Sequence, residues 1–293
     1  MKLSKMKLRI LIIPAIILLI SCGRRGPVLT DPVISVSIAP FKYFVEQIGG
    51  DDFSVNVMVP PGADPHIYEP YPRQINYLRR SVAYVSNGFL GFEMAWLDRF
   101  YEANTRMRKL NIGDRIDPIV ADHEHSGDHV EGADPHYWVS LRSALIIAVS
   151  VRDLLKELNP EKADEYESNY RHLAGRIEEA DSIAAGLFKD VENKSFMIFH
   201  PSLGYLARDY GLEEISLEHE GKEPSPSHMK ELIDRARKEN IRSIFIQREH
   251  DTRNARTIAG ETGAEILTID PLSEDWLNAT MDIINALHRS FVR

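Results

Sequence analysis

A five-residue motif that ends in histidine occurs twice in this sequence. Gly-Ala-Asp-Pro-His occupies residues 62–66 and recurs letter for letter at residues 132–136. Proline fixes its own φ and pushes the preceding Asp toward an extended conformation, so each histidine follows a stiffened turn. A nearby Asp can also accept the second imidazole N–H and orient the ring. The repeat predicts two metal ligands, His66 and His136; the alternative is a pair of unrelated helix-entry turns.

Two further candidate ligands directly follow predicted strands. His200 comes after the apolar run 195–199, and Asp270 comes after the run 265–269. His66 also lies shortly beyond a predicted strand, and ligands of open α/β sheets bind beyond the carboxyl ends of strands. Three imidazoles and one carboxylate suit tetrahedral Zn²⁺. Each residue alone would more often be structural, but together they predict a zinc site made of His66, His136, His200 and Asp270.

The elements that must position these residues alternate between strands and helices. The first half contains predicted strands at 33–38, 55–59 and 82–85 and helices at 41–48 and 71–80. The second half contains predicted strands at 195–199, 215–217, 243–246 and 265–269 and helices at 229–240, 255–262 and 275–291. This alternation is typical of βαβ units, so we expect an α/β fold with mainly parallel sheets.

A long amphipathic segment separates the two halves. Apolar side chains recur at helical spacing at Tyr166, Tyr170, Leu173, Ile177, Ala180, Ile183 and Leu187. The pattern predicts a helix over residues 161–190, about 45 Å long. We interpret it as a rigid link between two lobes, although an ordinary long surface helix would show the same pattern. The predicted organisation is a first lobe at 33–158, a linking helix at 159–190 and a second lobe at 191–293.

The first segment of the chain is typical of an export signal. Four basic residues precede a short apolar run within residues 1–21, which is too short to span a membrane as a helix. Residues 19–23 resemble a bacterial lipobox, and Cys22 is the chain's single cysteine. We therefore predict lipidation at Cys22, followed by a flexible tether at 22–32. The alternative is an ordinary signal peptide with an incidental cysteine.

Composition excludes several classes of protein. The chain has 293 residues, a formal net charge of -9 and one cysteine. A single cysteine cannot form an internal disulfide or a cysteine-based zinc or iron–sulfur site. The acidic balance argues against a nucleic-acid binder, which would present a basic face.

Residues 122–131 form a second group rich in metal-binding types. Three histidines, His123, His125 and His129, alternate there with four carboxylates. Such a tract could hold a weaker auxiliary metal ion or collect ions for the main site, but a solvated charged loop would look the same. Glu69 and Glu249 are further possible neighbours of the main site.

Longer motifs around these residues resemble a known family. They are residues 62–70 (GADPHIYEP), 134–140 (DPHYWVS), 199–207 (FHPSLGYLA), 210–212 (YGL), 220–225 (EGKEPS) and 268–272 (TIDPL). In order and type they are similar to the zinc and manganese solute-binding lipoproteins of bacterial ABC importers. The resemblance covers about residues 33–293. One departure is Pro201-Ser202, where relatives often carry Asp-Ala.

The resemblance implies a fold, a ligand set and partners. The family's fold is two α/β lobes joined by a long helix, with the metal between the lobes, and its ligands fall on His66, His136, His200 and Asp270. Manganese receptors tend to carry a carboxylate at the third position, so His200 points to zinc, in agreement with the preference of imidazole for Zn²⁺. The implied partners are an ABC permease with its ATPase, and the implied receptor is an exported, lipid-anchored monomer that carries Zn(II) on the periplasmic side or cell surface.

Three other functions stay open at this point. A manganese or iron receptor would share the same fold, and an adhesin role is sometimes attached to this family. A secreted zinc hydrolase would need an open coordination position and a general base. If Asp270 did not bind the metal, the three histidines would leave such a position, and Glu249 or Glu69 could serve as the base.

Overall fold

The computed structural model describes residues 31–120, 132–218, 224–248 and 253–292. The predicted signal peptide, Cys22 and nearly all of the tether lie outside these ranges. So do His123, His125 and His129 of the acidic segment, and Glu249. What the sequence predicts for these residues therefore stays a prediction.

The first half of the described chain forms a four-stranded parallel sheet. Its strands are β1 (Val33–Val36), β2 (Ser54–Val57), β3 (Ser81–Ser86) and β4 (Arg108–Asn111), in the spatial order β2-β1-β3-β4. All four residues of β1 are buried, as expected for a strand covered on both faces by helices.

Four helices accompany this sheet. They are α1 (Ala39–Gly49), α2 (Pro72–Leu78), α3 (Gly91–Ala103) and α4 (Leu141–Leu158). Pro40 occupies the first turn of α1, where its missing N–H costs nothing. Ser140 caps α4 by accepting a hydrogen bond from the backbone N–H of Ser143.

The second half repeats the same sheet order. Its parallel strands are β5 (Ser195–Ile198), β6 (Glu213–Ser216), β7 (Ser243–Gln247) and β8 (Glu265–Ile269), in the order β6-β5-β7-β8. The helices of this half are α6 (Gly204–Tyr210), α7 (Pro226–Lys238), α8 (Arg253–Thr262) and α9 (Trp276–Val292). Strands β1 and β5, and likewise β3 and β7, therefore hold equivalent places in the two sheets.

A single long helix, α5 (Ala163–Phe188), connects the two halves. Its 26 residues span about 39 Å. It is shorter than the predicted 161–190 because residues Pro160–Lys162 form a separate 3-10 turn. The buried stripe includes Tyr166, Leu173 and Ile177, as the periodicity indicates. The α/β fold with two parallel sheets and a long connecting helix is confirmed.

Two buried tryptophans form hydrogen bonds between the two lobes. The indole N–H of Trp138 donates to the carbonyl of Pro271 (2.9 Å), and the indole N–H of Trp276 donates to the carbonyl of Trp138 (2.7 Å). Both indoles are almost fully buried in a core that contains residues of both lobes. Over the described ranges, no helix combines the length and the hydrophobicity required to cross a membrane.

Candidate metal centre

Three imidazoles from distant parts of the chain meet in the cleft between the lobes. The Nε2 atom of His66 lies 3.3 Å from Nε2 of His136 and 3.2 Å from Nε2 of His200. The ligand nitrogens of all three lie within 4.8 Å of one another, and within the described residues they form the one group of this kind. His66 and His136 come from the first lobe and His200 from the second. The sequence prediction placed these three side chains together, and the geometry agrees with it.

The spacing of the three nitrogens suits a tetrahedral metal ion. Nitrogens bound to Zn²⁺ at its usual bond length sit about 3.3 Å apart in a tetrahedral array. Without a cation, His66 Nε2 has at most one proton to share between the Nε2 atoms of the two other rings. The arrangement therefore satisfies a central cation better than it satisfies hydrogen bonds among the rings.

Carboxylates orient two of the imidazoles by contacting Nδ1, the ring nitrogen that does not face the cluster. Asp134 Oδ1 lies 2.7 Å from Nδ1 of His136, and Glu218 Oε2 lies 2.7 Å from Nδ1 of His200. Because an ionised carboxylate only accepts hydrogen bonds, the proton of each ring is held on Nδ1. The lone pair of each Nε2 then faces the cleft. The two carboxylates also supply negative charge close to the position of a divalent cation.

The repeated motif folds into the same turn at both places. Asp64 Oδ1 accepts the backbone N–H of His66 at 2.8 Å, and Asp134 Oδ1 accepts that of His136 at the same distance. Gly62 and Gly132 have φ values of 79° and 89°, a region that favours glycine over other residues. The identical letters therefore encode identical local geometry, and in the second copy the Asp also binds the imidazole ring, as the sequence indicated.

Electrostatics keep His136 ready to bind a metal. Burial lowers the pKa of this imidazole, and the opposing hydrogen bond and charge of Asp134 do not fully reverse the effect. Burial raises the pKa of the Asp134 carboxyl, but the hydrogen bond and charge of His136 more than offset it and the net pKa is lowered. At neutral pH the pair is a neutral imidazole beside a charged carboxylate, which is the state that ligates.

Asp270 does not join the cluster and contacts a different group. Its Oδ2 atom lies 3.1 Å from Nη1 of Arg248, and its side chain is 30% exposed. Asp270 is outside the group of described residues whose ligand atoms converge. The next two residues, Pro271 and Leu272, line the same cavity as the three histidines. Glu69, the other acidic candidate within the described chain, is exposed.

Two residues that support the site escaped the sequence prediction. Glu218 lies two residues beyond β6, and Gln247 is the last residue of β7. Gln247 lines the metal cavity and binds the backbone of His200. Both occupy the carboxyl ends of parallel strands, the rule that selected His200, so the same signal could have found them.

Comparison with known proteins identifies the family. Residues 34–289 match the family described as "ZnuA: Zinc-uptake complex component A periplasmic". The chain belongs to the ZnuA family. It is therefore a zinc-type solute-binding protein of ABC importers, and the resemblance stated from the motifs is confirmed.

Solved structures agree with this assignment. A crystal structure of ZnuA is 35% identical, covers 89% of this chain and 99% of its own, and superposes with a TM-score of 0.84. A ZnuA deletion mutant with zinc bound gives 35% identity and a TM-score of 0.83 over 90% of this chain and 99% of its own. The laminin-binding protein of Streptococcus agalactiae shares the fold, with a TM-score of 0.78 at 23% identity over 89% of this chain and all of its own.

Curated relatives include longer proteins. The zinc-binding protein AdcA of Streptococcus pyogenes serotype M6 is 26% identical over 276 residues, which is 86% of this chain and 53% of AdcA. The chain thus spans about half the length of the AdcA proteins that it matches.

The ZnuA family consists of solute-binding receptors, not enzymes.

Proposed function

We propose that this ZnuA-family protein captures Zn(II) with His66, His136 and His200 and delivers it to an ABC permease and its ATPase for import. The observation that carries the proposal is the convergence of three Nε2 atoms at tetrahedral spacing, with two of the rings held by carboxylates. In this role the zinc ion is cargo. The zinc-bound ZnuA structure supports the choice of metal.

Donor chemistry separates zinc from the alternative metals. Three imidazole nitrogens are borderline-soft ligands that suit Zn²⁺, whereas Mn²⁺ prefers carboxylate and carbonyl oxygens. A manganese receptor would therefore be expected to offer more oxygen donors than the three rings provide. For the same reason we place zinc ahead of manganese and iron as the transported ion.

We assign Asp270 as the fourth ligand once metal is present. It follows β8 directly, and its neighbours Pro271 and Leu272 line the cavity. A four-residue ligand set fills a tetrahedral zinc site and excludes an activated water, as expected for a carrier rather than a hydrolase. In the structure one oxygen of this carboxylate, Oδ2, contacts Arg248.

The cellular arrangement rests on the sequence. A lipid on Cys22 would anchor the receptor at the outer face of a membrane, on the periplasmic side or at the cell surface, with residues 22–32 as its tether. We expect the anchored receptor to be a monomer. His123, His125 and His129 would form an auxiliary metal-collecting loop beside the second ligand. Inhibition of lipidation, followed by fractionation of cells, tests the anchor.

Metal analysis tests the central proposal. The purified mature protein should contain or take up one Zn(II) and prefer it to Mn(II) in direct competition. His200→Ala should weaken zinc binding by more than the roughly 10–100-fold that loss of an outer hydrogen-bond partner costs. His172→Ala is the matched control, because this histidine lies on the exposed side of α5. Unchanged affinity in H200A would show that the ligand set is wrong.

A further inference from the structure

Two buried side-chain amides occupy equivalent places in the two lobes. Asn87 directly follows β3, and Gln247 ends β7. Both strands are third in their sheet order. Asn87 and Gln247 are 0% and 1% exposed. Burying an amide is costly unless its groups are hydrogen-bonded, so the partners of these two side chains indicate their role.

Gln247 holds the backbone of a metal ligand on both sides. Its Nε2 donates to the carbonyl of His200 (2.6 Å), and its Oε1 accepts the backbone N–H of His200 (3.4 Å). The same Nε2 also donates to the hydroxyl of Ser202 (2.6 Å). These bonds fix the two peptide groups on either side of the His200 Cα, from which the imidazole projects.

Asn87 does the same for a ligand of the first lobe. Its Nδ2 donates to the carbonyl of Pro135 (2.9 Å), the residue immediately before His136. The backbone carbonyl of Asn87 accepts the hydroxyl of Tyr137 (2.8 Å), the residue immediately after His136. The two neighbours of His136 are therefore both tied to one residue at the end of β3.

In each lobe a carboxyl group accepts backbone hydrogen bonds close to these amides. Glu93 accepts the backbone N–H groups of Asn87 (2.7 Å) and Gly88 (2.6 Å). In the second lobe, Glu214 accepts the backbone N–H of Ser202 (3.0 Å) and that of the following residue (2.9 Å). A carboxyl group thus holds the backbone at Asn87 in the first lobe and the backbone just after His200 in the second.

We propose that Asn87 and Gln247 are positioning residues that set zinc affinity by fixing the backbone beside His136 and His200. Neither amide needs to touch the metal. Loss of their hydrogen bonds would let the imidazoles move apart, and a metal site needs its ligands held within about 0.5 Å. This proposal rests on zinc binding at the three imidazoles and assigns the residues that hold two of those rings at the right separation.

The test compares zinc affinity, Co²⁺ absorption and thermal stability in matched variants. Gln247→Met and Asn87→Leu remove the side-chain hydrogen bonds while keeping a similar volume, and the bond from Tyr137 to the backbone carbonyl of Asn87 is retained. We expect each to weaken Zn(II) binding about 10–100-fold, and to alter the intensity of the Co²⁺ ligand-field bands, which report coordination geometry. Gln247→Glu retains the acceptor for the His200 N–H but loses the donor, so its affinity should fall between wild type and Gln247→Met.

Asn104→Leu is the control for a purely structural effect. The side-chain amide of Asn104 donates to the carbonyls of Leu78, Arg79 and Ser81, in the turn that leads to β3. This variant should lower the melting temperature yet keep zinc affinity within about twofold of wild type and leave the Co²⁺ spectrum unchanged.

The outcomes separate this proposal from the proposed function. Wild-type affinity and an unchanged Co²⁺ spectrum in Gln247→Met and Asn87→Leu would overturn the positioning role while leaving zinc capture intact. An equal loss of affinity in Asn104→Leu would also overturn it, because the effect would then follow stability. Failure of the wild-type protein to bind Zn(II) would overturn the proposed function itself. If Gln247→Met does not fold, the affinity and spectrum of Gln247→Glu decide the question.

Discussion

The carboxylate of Asp270 forms an ion pair with Arg248, with Oδ2 and Nη1 3.1 Å apart. Asp270 follows β8 and Arg248 follows β7, and these strands are neighbours in the second sheet. A metal ion that takes Asp270 as a ligand would share this carboxylate with the guanidinium or displace it, since only Oδ2 contacts Arg248. The ion pair is partly exposed, so its stabilising effect is modest, at about 0–1 kcal/mol.

Removing Arg248 should strengthen zinc binding. Arg248→Gln frees Asp270 to ligate, and we expect the affinity to rise by about two- to fivefold, the equivalent of the ion-pair energy. Asp270→Asn should weaken binding, because an amide oxygen is a poorer ligand than a carboxylate. Calorimetric titration of both variants with Zn(II) measures the effect. Identical affinities in wild type, R248Q and D270N would exclude Asp270 from the ligand set.

Glu218→Gln should weaken zinc binding by about 10–100-fold, because the carboxylate orients His200 and raises the basicity of its Nε2. Glu213→Gln is a matched control in the same segment, at the start of β6, since that carboxylate accepts the hydroxyl of Ser195 and contacts Arg235 instead. Competition with a chromophoric chelator gives both affinities. A larger loss in E213Q than in E218Q would contradict the role assigned to Glu218.

Zinc affinity should depend on pH in a way set by the imidazoles. A protonated ring cannot ligate, so affinity should fall once the pH drops below about 6.5. Burial lowers the pKa of His136, which moves the contribution of this ring to a lower pH than that of an exposed histidine. Affinities measured between pH 5 and 8 should therefore be nearly constant at the alkaline end. A rise in affinity on acidification would be incompatible with histidine ligands.

Deletion of residues 122–131 should leave the primary zinc affinity nearly unchanged. The three converging imidazoles and their carboxylate partners lie outside this segment. Removal of the three histidines in it should abolish a weaker second binding event, if the segment collects ions. Titration of the deletion variant beside the full-length protein resolves the two events. Complete loss of zinc binding would place a primary ligand in the deleted segment.

The convergence of the three imidazoles could be predicted because short sequence patterns indicate where each histidine lies. The repeated turn and the strand-end position of His200 each follow from short-range patterns. Strand β4 was missed because its residues Arg108–Asn111 show no apolar run. Helices α3, α4 and α6 were also not predicted, although α4 has a strongly buried face and a serine cap.

The orientation of Asp270 could not be read from the sequence for a different reason. Its partner Arg248 is adjacent only because β7 and β8 pair in register, with Gln247 opposite Ile269. Strand order is a property of the whole sheet, not of the residues around either side chain. The same limit applies to Asn87 and Gln247, whose equivalence appears only once both sheet orders are known.

The buried carboxyl of Glu93 should make the metal-free protein less stable as the pH rises. Burial raises its pKa to about 7, against hydrogen bonds from Ser37 and from the backbone of Asn87 and Gly88 that favour the charged form. Since the folded state then binds this proton more tightly than the unfolded state, the contribution of Glu93 to the unfolding free energy is lost as pH rises through about 7. Glu93→Gln removes this titration. Calorimetric melting of both proteins should show the wild type losing its advantage over E93Q between about pH 4.5 and 7, with no further loss at higher pH. A constant difference in melting temperature would show that Glu93 keeps one protonation state throughout.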